Sequence, residues 1–173
     1  MKAVWIAGGV LASVVNAVLA DSVISDGVPM GLLQADQRQP ISQLVLGGQW
    51  VSNCYQLELG QYQIRSYDFR FNQLATITTT SYPDQDCVQV PTGTVSIAVA
   101  WQLDHHLTTE EGMQAFAMDV QLRIGESQEL VNVKQILYYQ QDHLYLGISR
   151  ALNEYPHRLD WEIEYRRAKA SGA

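Results

Sequence analysis

The sequence predicts an all-β protein: an eight-stranded antiparallel up-and-down barrel pinned by one disulfide. Three observations carry this expectation. From Leu44 onward, apolar residues recur with a period of two between short turn-rich stretches, the pattern of strands with one buried face. Eight such runs follow in sequence, enough to close a barrel and remove the sheet edges that invite aggregation. The only two cysteines, Cys54 and Cys87, stand at the first and the last of three consecutive strand-like runs.

The first run, Val45 to Leu57, carries Gly47-Gly48, where a strand can bend or be approached closely by other backbone. The second, Tyr62 to Phe71, puts Tyr67, Phe69 and Phe71 on one face and Ser66, Asp68 and Arg70 on the other. Asn72-Gln73 turns into the third, Leu74 to Tyr82, whose threonines suit a pleated, half-exposed surface. The polar stretch Pro83 to Gly93 leads to the fourth, where Val95, Ile97, Val99 and Trp101 alternate with Thr94, Ser96, Ala98 and Ala100. In the fifth, Phe116 to Ile124, Phe116, Met118, Val120 and Leu122 oppose Ala117, Asp119, Gln121 and Arg123. The sixth and seventh, Val131 to Tyr139 and His143 to Ile148, form a hairpin through Gln140-Gln141-Asp142. The eighth, Asp160 to Arg167, sets Trp161, Ile163 and Tyr165 against Glu162, Glu164 and Arg166. No stretch has a helical period, although Thr108 to Ala115 has room for one turn capped by Thr108 or Thr109.

Ahead of the barrel, Lys2 precedes an apolar or small run from Ala3 to Leu19, and Val18-Leu19-Ala20 offers a cleavage site before Asp21. These are the parts of a secretory signal peptide, and no second run of about twenty apolar residues follows to span a membrane. The expected organisation is a signal peptide at 1–20, an irregular leader at 21–43, the barrel at 44–168 and a flexible tail at 169–173. Export, to a periplasm or out of the cell, suits a chain whose two cysteines pair. A loop of that size closed by Cys54 and Cys87 contributes roughly 3 to 4 kcal/mol.

Loss of Lys2 with the signal leaves ten Lys and Arg against eighteen Asp and Glu. Nucleic acid is disfavoured as a partner, because neutralising phosphates needs a basic face.

Gly48-Gln49-Trp50 on the first strand, with Arg166 or Arg167 at the end of the last, resembles the lipocalin and wider calycin pattern, in which a late arginine packs on a strand-one tryptophan. That resemblance gives Trp50, Arg166 and Arg167 structural roles, through a cation stacked on an indole face. Over residues 46–100, Trp50-Val51-Ser52-x-Cys54, Arg65-Ser66-Tyr67-x-Phe69 and Tyr82-x-Asp84-x-x-Cys87 resemble the ectodomain repeat of the adenomatosis polyposis coli down-regulated family of Wnt antagonists. The resemblance implies a lipid-binding β-barrel of the secretory pathway. The tail, with Tyr145-Leu146-Gly147 and Pro156-His157-Arg158-Leu159-Asp160, is similar to the closing hairpin of small exported bacterial lipocalin-like proteins.

Catalysis has little to stand on. Neither Gly-x-Ser-x-Gly nor His-Glu-x-x-His occurs, and no glycine-rich phosphate loop or other cofactor motif is present. Glu162 and Glu164 would lie about 7 Å apart on one strand face, where they read as solubilising charges. His105-His106 with Asp104, Glu110 and Glu111 is the one cluster with metal-ligand chemistry, but adjacent residues of an extended chain point to opposite sides, and a solvated acidic loop is the simpler account. His143 and His157 read as surface residues. No metal is expected.

An eight-stranded barrel commonly encloses one small ligand. Tyr67, Phe69, Val99, Trp101, Phe116, Met118, Val120 and Tyr165 are the candidate lining of such a cup; the same side chains would equally serve as a filled core. The expectation is therefore a non-catalytic exported protein that holds a small hydrophobic or amphipathic, lipid-like molecule. The alternative is an envelope protein-binding module or hydrolase inhibitor acting through the acidic loops at Asp84–Asp86 and Asp104–Glu111.

Overall fold

The computed structural model describes residues 46–58, 60–124 and 129–169. The expected signal peptide and leader, and residues 170–173 of the tail, lie outside the described residues.

Alternating side chains put the chain into β1 (Gly48–Ser52), β2 (Tyr55–Glu58), β3 (Gln61–Phe69), β4 (Leu74–Tyr82), β5 (Gly93–Thr108), β6 (Gln114–Ile124), β7 (Glu129–Gln140), β8 (His143–Leu146) and β9 (Tyr165–Arg167). From β2 to β8 each strand pairs antiparallel with the next, β9 pairs with β8, and β1 closes the circle between β9 and β3. Because β1 pairs with the second half of β3 and β2 with the first, they are two halves of one barrel strand broken at Asn53-Cys54. The result is the expected closed eight-stranded antiparallel barrel. Among the described residues, no helix is long and apolar enough to cross a membrane.

The break has its own fastenings. Asn53 Nδ2 donates to the Glu162 carbonyl at 3.0 Å, and Asn53 Oδ1 accepts from the Glu164 N–H at 2.9 Å. Cys54, the next residue, is bonded to Cys87 in the loop between β4 and β5, with the two Cα atoms 5.8 Å apart. The kink is thus held from one side by the segment that leads into β9 and from the other by the disulfide.

The barrel is filled at the end where β3 finishes. Phe69 stacks on Tyr67 with centroids 5.6 Å apart and meets Trp101 edge-on at 5.0 Å; Trp50 meets Tyr139 edge-on at 5.8 Å. Val99, Leu103, Met118, Val120, Leu122, Val133, Leu137 and Leu144 complete this cluster, with Phe116 partly buried against it. Dense interdigitation of this kind is how small barrels fill their interior.

Four expectations need correction. Phe71 is not on the inward face with Tyr67 and Phe69: β3 ends at Phe69, and Phe71 lies in the following turn, 59 % exposed and beside Gly47, whose missing Cβ gives its ring room. The fourth run does not stop at Trp101 but continues to Thr108, with a bulge between Leu103 and His106 that re-aims the strand, and Asp104, His105 and His106 are exposed. The helical turn expected over Thr108 to Ala115 is instead a hairpin, in which Thr109 Oγ1 accepts the Met113 N–H at 3.2 Å and Gly112 takes φ +79°. The eighth run is strand only from Tyr165 to Arg167, and Trp161 packs outward at 4.8 Å from the Tyr145 ring rather than into the interior.

Residues 147–164 connect β8 to β9 as a strap along the edge of β7 and β8, with Leu152 and Ile163 against the interior cluster and Tyr155 and Leu159 in a second cluster on the outer side. The Ile148 N–H donates to Arg158 O at 2.9 Å, the Asp160 N–H to Leu146 O at 2.8 Å, and the Lys134 N–H to Leu152 O at 2.7 Å. Beneath this strap the small outward side chain of Ala115 leaves room for Leu159 against Ile136, with Tyr138, Tyr145 and Tyr155 packed around them. Gly147 is where the strap leaves the barrel, and a Cβ there would come within 2.5 Å of both Ile136 Cγ1 and Pro156 Cβ.

Candidate functional site

Inward positions of β3 are Gln63, Arg65, Tyr67 and Phe69, all buried. The interior therefore changes character along the strand, from aromatic to polar. Ser52, Thr79, Gln135, Ser149 and Asp160 are buried at the polar end as well.

Arg65 is the centre of this end. Its residue exposure is 6 %. The backbone N–H donates to Ser52 Oγ at 2.8 Å and Nε donates to Thr79 Oγ1 at 3.2 Å, while the guanidinium carbon lies 6.0 Å from the Tyr55 ring centroid. Nη2 is buried without a hydrogen bond of regular geometry, and among the described residues no carboxylate forms an ion pair with Arg65. Burial works against its charge, but a guanidinium stays protonated in a protein interior all the same. A buried charge without a counter-ion is costly, and structures retain one rarely.

Two further buried polar atoms at this end, Tyr67 Oη and Ser149 Oγ, make no hydrogen bond of regular geometry among the described residues, although the Tyr67 hydroxyl lies beside Arg65 and Tyr165. With Arg65, Gln135, Asp160 and Tyr165 they line a pocket of about 30 Å³. Gln135 is held by its backbone bonds, Oε1 accepting from Ile136 N at 2.8 Å and Gly147 N at 3.0 Å. Asp160 Oδ1 accepts the Glu162 N–H at 3.1 Å; burial raises the carboxyl's pKa, opposed by this hydrogen bond and helped by the Glu162 charge. Tyr165 is pushed well above its ordinary value by burial. The apolar part of the wall is Leu146 and Ile163.

Of the eight residues expected to line a cup, Tyr67 and Tyr165 border this pocket. Phe69, Val99, Trp101, Phe116, Met118 and Val120 belong to the packed cluster and do not line it. Arg65, Ser149 and Asp160 were not among the expected residues. A signal for Arg65 existed: it shares parity with Tyr67 and Phe69, so an inward aromatic face brings the arginine inward too.

At the opposite end, Arg167 rather than Arg166 meets the tryptophan. Its guanidinium carbon is 4.6 Å from the Trp50 ring centroid, and Arg166 instead donates to Glu164 on the outside. The two neighbouring imidazoles separate: His105 Nδ1 lies 3.0 Å from Asp104 Oδ2 and its ring meets Tyr155, whereas His106 packs 4.1 Å from the Phe116 centroid. Among the described residues no three His, Cys, Asp or Glu side chains gather as metal ligands.

No protein-family model, no curated protein and no solved structure matches this chain.

Proposed function

We propose that this protein is an exported, non-catalytic binding protein that takes a small amphipathic molecule into the polar end of its barrel. The observation that carries the reading is the pocket beside Arg65, where buried polar side chains and the apolar side chains of Leu146 and Ile163 share one wall. Mixed walls of this kind orient an amphipathic ligand. The size of the pocket, about 30 Å³, favours a ligand that inserts one end and not its whole length. Export is supported by the Cys54–Cys87 disulfide and by the signal-like first twenty residues.

The acidic loops offer less to a protein partner. Asp84 spends both carboxylate oxygens on the Val88 and Gln89 N–H groups of its own loop, and Glu110 and Glu111 lie within 4 Å of Arg158.

Native mass spectrometry of protein purified from its own host, followed by organic extraction, tests the reading. A co-purified small molecule that leaves on extraction is expected. A mass equal to the bare chain, with no uptake of any offered amphiphile, overturns it.

A further inference from the structure

The chemistry of the pocket narrows the ligand class, on the premise that the barrel does bind a small molecule. We infer that Arg65, Tyr67 and Ser149 form a receptor for one carboxylate group, with the remainder of the ligand lying against Leu146 and Ile163.

A buried cation and two buried hydroxyls share one space. Arg65 Nη2, Tyr67 Oη and Ser149 Oγ are each buried without a hydrogen bond of regular geometry among the described residues, and all three residues line the same pocket. The Tyr67 hydroxyl beside Arg65 is a neutral acceptor for it, and both hydroxyls can also donate. Among the described residues no carboxylate forms an ion pair with Arg65, and beside a buried cation an anionic acceptor gives the strongest hydrogen bonds.

Charge and size select among anions. Among the described residues Arg65 is the only Lys or Arg that lines the pocket, and Asp160 in the same wall is itself acidic. A monoanion neutralises the guanidinium, whereas a dianionic phosphate monoester would bring a second charge toward Asp160 with no cation to meet it. A planar carboxylate also matches the planar donor fork of arginine. About 30 Å³ holds one or two waters, room for a carboxylate that displaces them. The acid's carbon chain then meets the apolar side chains of the wall. It does not reach the aromatic end, which Tyr67, Phe69 and Trp101 fill.

Titration calorimetry on the full-length, oxidised protein tests this with sodium hexanoate, 1-hexanol, hexyl phosphate and sodium dodecanoate. Hexanoate is expected to bind at least tenfold more tightly than hexanol or hexyl phosphate. Arg65→Gln should lower hexanoate affinity tenfold or more. Tyr67→Phe and Ser149→Ala, which remove one hydroxyl each and keep the rest of the side chain's packing, should each lower it several-fold. These two keep the inference testable if Arg65→Gln fails to fold. Tighter binding of dodecanoate than hexanoate upholds the carboxylate receptor and assigns it to lipid-derived acids; equal binding upholds it and assigns it to short free acids. Hexanol or hexyl phosphate binding as tightly as hexanoate overturns the carboxylate assignment while small-ligand binding stands. Binding of none of the four, with a bare mass from the native host, overturns both.

Discussion

Arg167 lies across the indole of Trp50, its guanidinium carbon 4.6 Å from the ring centroid, while Arg167 Nη1 donates to Gly47 O at 2.6 Å. Trp50 Nε1 in turn donates to Leu46 O at 2.8 Å. Two side chains thus satisfy successive carbonyls at the entry to β1, and the fully buried indole plugs that end of the barrel beneath a cation. Arg167→Ala should cost about 1 to 2 kcal/mol, from a cation on an aromatic face and a charge-assisted hydrogen bond. Arg166→Ala should leave stability nearly unchanged, since its partner Glu164 is at the surface. Thermal melts of the two variants side by side check the pair.

Cys54 and Cys87 tie the break in the first barrel strand to the β4–β5 loop across 33 residues of sequence. Replacing both by alanine should cost about 3 to 4 kcal/mol through the added freedom of the unfolded chain. Thiol titration of the denatured protein should find no free thiol before reduction and two after it. Two thiols without reductant would contradict the bond.

Gly147 sits between Ile136 and Pro156 with no room for a side chain. Gly147→Ala should destabilise by about 1 to 3 kcal/mol, because a methyl group forces the strap away from the barrel wall. Chemical denaturation of the variant measures the loss, and an unchanged midpoint would contradict the close approach.

Burial raises the pKa of Asp160, so the folded state prefers the protonated acid. Its contribution to stability is fully present below the ordinary aspartate pKa, declines as pH rises through the raised folded value, and remains as a penalty above it. Asp160→Asn keeps an oxygen to accept the Glu162 N–H and removes the charge. The variant should be more stable than the parent at neutral pH, and the difference should vanish near pH 3. Denaturant midpoints at several pH values check the sign; a variant less stable at neutral pH would contradict it.

Much of the barrel is legible because a period of two needs only local sequence: β3, β4, β6 and the β7–β8 hairpin follow the apolar alternation directly. In that hairpin, Gln141 and Asp142 both take positive φ, 50° and 65°, as a two-residue turn of the I′ kind demands, although neither is glycine. Other features depend on distant partners. Asp104-His105-His106 reads as a loop because the bulge that carries the strand through all three is a property of the β5–β6 pairing, not of the run itself. Trp161 is expected inward by parity, but the segment before β9 is not strand, and Tyr138 and Tyr145 give the indole an outer surface. The site was the least legible part. An arginine in phase with buried aromatics marks an interior position, yet that no carboxylate of the described residues pairs with it emerges only when Thr79, Tyr67 and Ser149 are placed around it.

If Arg65 is kept for a ligand and not for the fold, Arg65→Met, which fills similar volume without charge, separates the two roles when its stability and hexanoate affinity are measured together. Replacing a buried cation by an apolar side chain removes its desolvation cost, so stability is expected to be unchanged or raised. A melting temperature equal to or above the parent's is expected, together with loss of hexanoate binding. A variant destabilised by several kcal/mol, or one that binds hexanoate as the parent does, would contradict it.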